Sequence, residues 1–106
     1  MSRVLGIAAG AFLLLSATAG ADQPATERGR QFAESNCGRC HATGRAGDSA
    51  LPKAPPFRAL HQRYPVEDLA EALAEGIRTA HREMPEFELD QDQIDDFLAY
   101  LKSLEH

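Results

Sequence analysis

Apolar positions recur at helical spacing most clearly near the C-terminus, where Ile94, Phe97, Leu98, Leu101 and Leu104 share one face. Asp90 precedes that stripe as an N-cap, Gln93 follows three residues later to complete a capping box, and Leu89 pairs with Ile94 as a hydrophobic staple. Asp92, Asp95 and Asp96 fall in the first turns, where the helix dipole favours negative charge. The pattern predicts a helix over residues 90–104. A second stripe, Leu69, Ala72, Leu73 and Ile77, predicts a helix opening at or near Pro65 and ending near Gly76. A third helix is predicted over residues 24–36, with Phe32 and Ala33 apolar and Gly29 in its middle. Glycine there costs about 1 kcal/mol relative to alanine. Either another helix approaches closely at that point or the helix carries an ordinary weak spot. A short helix is predicted at Phe57–Gln62, and residues 37–56, rich in Gly, Pro and polar side chains, read as loop.

The N-terminus breaks this pattern with a continuous apolar run. Arg3 supplies a positive start, residues 4–15 an apolar stretch, and residues 16–21 small side chains with cleavage sites after Ala19 or Ala21. Residues 1–21 therefore read as a secretory signal peptide and residues 22–106 as one domain, expected in the periplasm. The twelve-residue apolar stretch falls short of the ~20 residues that span a bilayer. Membrane attachment is expected only if the segment stays uncleaved.

Composition then narrows the fold class. Of the 85 residues after the leader, 18 are large and apolar, 12 are alanine and none is tryptophan. A domain this small with so thin a core needs a staple such as a metal, a disulfide or a prosthetic group. The same stretch holds one Val, two Ile and three Thr, too few β-branched residues for a substantial sheet. An all-α exported domain is expected. Charge is uneven: residues 22–66 carry seven Arg and Lys against four acids, and residues 67–106 carry three against twelve. An acidic chain repels phosphate backbones, which excludes nucleic acid as a partner. The split between a basic and an acidic half orients a docking partner or simply reflects solvated helix faces.

The candidate chemistry is concentrated in Cys37-Gly38-Arg39-Cys40-His41. C-x-x-C-H is the attachment signature of c-type haem. Cysteines three apart point from the same side of one turn and reach the two vinyl groups of a single haem, and the next residue projects an imidazole under the ring. Covalent haem also supplies the apolar bulk that the core lacks. Three rival readings remain. A Cys37–Cys40 disulfide leaves His41 unexplained. A zinc site needs further ligands from His61, His81 or His106, whose spacing is irregular. A thioredoxin-like redox pair needs strands that this composition does not supply.

With these residues in order, the sequence resembles the class I c-type cytochromes, small soluble bacterial monohaem proteins, over essentially all of residues 22–106. The resemblance is carried by Gly29 and Phe32, the 37–41 motif, Ala54-Pro55-Pro56-Phe57, Met84-Pro85-Glu86-Phe87 and the last helix. It implies the cytochrome c fold, with about four helices wrapped around one haem c held through Cys37 and Cys40. His41 and Met84 are implied as the axial ligands of the iron. Met84 is the only methionine left once the leader is removed, 43 residues beyond His41, and a thioether suits haem iron. His81 is its competitor. The resemblance also implies that the Pro55 carbonyl, or its neighbour Pro56, accepts the other N–H of His41. Ala54 stands where the family usually has glycine. Gly29 and Phe32 are expected to meet Tyr100 or Phe97. Arg45, Arg58, Arg63 and Tyr64 are either propionate contacts or solvated, and His61 belongs at the surface or the haem edge.

The function this implies is single-electron transfer by a periplasmic, monomeric carrier, not an enzyme, exchanging electrons with a redox protein donor and acceptor such as a dehydrogenase, oxidase or reductase. Two other readings stay open. One is a dedicated haem c subunit or electron acceptor of a periplasmic dehydrogenase, for example a sulfite dehydrogenase. The other is a haem sensor whose Met84 dissociates.

Overall fold

The computed structural model describes residues 2–4, 6, 8–13, 23–77 and 83–106. Its elements are α1 (Ala25–Asn36), a 3₁₀ turn (Phe57–Gln62), a second 3₁₀ turn (Val66–Asp68) that runs on into α2 (Leu69–Glu75), and α3 (Gln91–Ser103). No strand occurs among the described residues. The expected all-α class and its four helical segments are thus observed, with two segments wound more tightly than α-helix.

α3 forms where its local signals place it. Asp90 Oδ1 accepts from the Gln93 backbone N–H at 2.8 Å, and the Asp90 N–H donates to Gln93 Oε1 at 3.1 Å. Two otherwise unsatisfied donors are answered reciprocally. Asp90→Ala is expected to cost about 1 kcal/mol. In a domain of this size that lowers Tm by about 4–8 °C in a thermal melt. The helix buries Ile94, Phe97, Tyr100 and Leu101, and Leu89, ahead of the cap, lies in the same core as Ile94.

α1 contributes few large side chains, so it packs by proximity rather than bulk. A Cβ built on Gly29 would stand 2.0 Å from the Asp96 carbonyl oxygen and 2.8 Å from Tyr100 Cβ. Of the two readings of this glycine, close helix approach is the one the structure supports. The crossing is flanked by Phe32 edge-on to Phe97, ring centroids 5.7 Å apart, and by Arg28, whose Nε and Nη2 each donate to Asp96 at 2.9 Å.

The second predicted helix begins one element earlier than its stripe. Pro65 caps the 3₁₀ turn whose first residue, Val66, is 1% exposed and among the most buried side chains. Val66 lies three residues before Leu69 and seven before Leu73, in phase with the stripe, and extends it by one turn toward the N-terminus. Leu73 is buried, Leu69 and Ile77 pack at the core margin, and Gly76 ends the helix at φ +98°.

Candidate haem-attachment site

The motif turn grows directly out of α1. The Cys37 N–H donates to the Ala33 carbonyl at 2.8 Å, and the Cys37 carbonyl in turn accepts from the N–H groups of Cys40 at 3.2 Å and His41 at 2.9 Å. Two thiols and an imidazole are therefore held on one tight, hydrogen-bonded turn. Both thiols are free and half-buried, and Cys37 packs against the core. Burial pushes the Cys37 thiol up to about 11, which disfavours the thiolate a redox nucleophile requires.

The loop that follows folds back over the motif. Leu51 N–H donates to the Cys40 carbonyl at 3.0 Å, Ala54 N–H to the Leu51 carbonyl at 2.9 Å, and Phe57 N–H to the Ala42 carbonyl at 2.9 Å. This return brings the Pro55 carbonyl oxygen to 2.7 Å from His41 Nδ1. A carbonyl only accepts, so Nδ1 carries the proton and Nε2 keeps the lone pair that a metal takes. The imidazole also lies 4.8 Å from the Phe57 ring, which stacks edge-on against Phe97 at 5.7 Å. One side of the ring is fixed by Pro55 and the orientation by Phe57. This donor set fits a covalently held haem: two thiols on a single turn and a half-buried imidazole with one nitrogen anchored.

Other candidates lie elsewhere. Met84 is half-buried on a separate segment, which continues through Phe87 at the core margin to the buried Leu89. His81, the competing ligand, lies outside the described residues. Arg45 is used structurally, donating to the carbonyls of Ser103 (2.6 Å) and His106 and so closing the end of α3. Arg58 donates to the Gly47 carbonyl at 2.8 Å. Arg63 and Tyr64 are exposed. His61 is half-buried, with Nδ1 fully covered and unpartnered.

Two contacts escaped the sequence. Phe57 links the imidazole to the core, and Tyr100 donates its hydroxyl to the Thr43 carbonyl, tying the motif loop to α3. Nothing local to either residue signals a partner that is distant in sequence.

Among the described residues no three His, Cys, Asp or Glu side chains converge as a metal site, and the sheet of a thioredoxin-like pair is missing. A C-x-x-C-H turn capping one helix of a small all-helical domain, its histidine anchored from behind, defines a c-type haem protein. The chain belongs to the cytochrome c family, whose model, described as Cytochrome c, matches residues 26–105. No curated protein and no solved structure gives a significant match. The resemblance to class I c-type cytochromes is borne out. The family binds haem c covalently and serves haem-based electron transfer, generally as a carrier rather than an enzyme.

Proposed function

We propose that this chain is a periplasmic single-electron carrier in which Cys37 and Cys40 hold haem c covalently and His41 and Met84 are its axial ligands. The observation that carries this reading is the 2.7 Å contact between His41 Nδ1 and the Pro55 carbonyl. It fixes the tautomer and aims Nε2 as the metal donor, as an oriented ligand requires. When bound, the haem iron supplies the one-electron ferric–ferrous couple. The protein's part is to hold the group, exclude water from it and set its potential. Phe57 against the His41 ring and Phe97 behind it are both buried, which keeps that side of the site apolar. A thioether from Met84, as the second protein ligand beside His41, would raise the potential and keep substrate from the iron.

Export rests on the leader. Its described residues include Val4, Phe12 and Leu13, all more than four-fifths exposed, as suits a targeting segment that is removed and takes no part in the domain. We assign residues 1–21 to that segment and residues 22–106 to the working domain. The donor and acceptor are redox proteins met in brief encounters of a monomer, steered by the uneven charge of its two halves.

An optical spectrum of the protein exported from a host that attaches c-type haem tests the assignment. Covalent six-coordinate haem, a sulfur-to-iron charge-transfer band and no reaction with carbon monoxide are expected. A carbon monoxide adduct would replace the carrier by a sensor, and a chain that takes up no haem would end the reading altogether.

A further inference from the structure

The segment that carries Met84 is tied to the end of α2 by two backbone hydrogen bonds of opposite sense. The Leu89 N–H donates to the Leu73 carbonyl at 2.8 Å, and the Ile77 N–H donates to the Phe87 carbonyl at 3.1 Å. Together they form a clamp between residues 73–77 and 87–89. Its second limb is anchored by Leu89, which is buried, and by Phe87, which packs at the core margin. Pro85 restricts the backbone between Met84 and the clamp.

Gly76 lies inside this clamp. Its backbone stands at φ +98°, ψ 105°, a conformation that side-chain-bearing residues rarely adopt. A Cβ would also come within 2.7 Å of Glu86 Oε1, the far end of a flexible side chain that can turn aside, and 3.4 Å from Glu86 Cγ and Cδ, so the constraint at this position is the backbone itself. Glu86 is two residues from Met84. The closed clamp therefore depends on position 76 having no side chain, and the position reads out on the stretch that presents the sulfur.

We propose that Gly76 is a positioning residue for Met84, letting the clamp close and thereby holding the thioether at the iron. The inference rests on the reading above that Met84 is the sixth ligand. A side chain at position 76 strains the closed clamp and is relieved when it opens, so it favours release of the sulfur while the thioether links and His41 stay in place.

The test uses the haem-loaded protein and titrates imidazole against the sulfur-to-iron band. Gly76→Ala should keep its attached haem but lose the band at an imidazole concentration lower by on the order of tenfold, the scale of relieved backbone strain. Glu71→Gly, at an exposed position of α2 ahead of the clamp, should lower Tm without moving that concentration. Equal imidazole sensitivity of Gly76→Ala and the wild type overturns the proposal, as does an equal shift in Glu71→Gly. Amide exchange on the wild type keeps the proposal falsifiable if Gly76→Ala does not fold. The Ile77 and Leu89 amides should lose protection when imidazole displaces Met84, and unchanged protection overturns the coupling. A wild type lacking the sulfur band removes the Met84 ligation itself. A wild type that shows the band while its clamp ignores ligand release removes this inference alone.

Discussion

Replacing Gly29 by alanine should be among the most damaging single changes to this domain, with a loss of more than about 3 kcal/mol. The reason is geometric. The added Cβ meets the Asp96 carbonyl oxygen at 2.0 Å and Tyr100 Cβ at 2.8 Å. The first of these atoms is backbone in the middle of α3, so it cannot turn aside as a side-chain end would. The two helices must separate, and separation pulls Phe32 from Phe97 and the Arg28 fork from Asp96. Small domains have only about 5–15 kcal/mol of stability to lose. Gly29→Val, with two further methyl groups, should give no haem-loaded protein on export. Thermal melts of Gly29→Ala beside Asp90→Ala make the comparison. If the glycine variant melts no lower than the cap variant, the close crossing is not holding the helices together.

Met84→Ala should have the largest effect on the chemistry while leaving the fold standing. Met84 is half-buried rather than a core residue, so its truncation removes little packing. With Met84 as a ligand, removing its thioether would leave the iron accessible, so carbon monoxide should bind the reduced protein. The reduction potential should fall by on the order of tenths of a volt, within the ~0.8 V span that axial ligands command. The thioether links through Cys37 and Cys40 are untouched, so attached haem should remain. Electron transfer that survives at an unchanged potential would show that Met84 is not the ligand. Gly76→Ala should imitate this variant in part, by loosening the same sulfur without deleting it.

How far the sequence reached follows the range of the forces involved. α3 was fully legible, because a capping box and an apolar stripe are contacts within four residues and need no partner. The 37–41 motif was legible because haem attachment itself demands that spacing. The depth of Val66 was not, for although it stands in phase with Leu69 and Leu73, its place among the most buried side chains depends on where its 3₁₀ turn packs. The same holds for Phe57–Gln62, where the pattern gave a helix and the backbone wound more tightly.

What the sequence determined by itself is therefore the helical class, the last helix with its cap, and a C-x-x-C-H turn that takes haem. What the tertiary structure decided is why Gly29 must be glycine, which carbonyl faces His41, how Phe57 joins that ring to the core, and how the Met84 segment is tied to α2. Each of the latter is a contact between residues at least ten positions apart. Such contacts exist only after loops have closed and helices have met, and no local pattern of side chains specifies where that meeting falls.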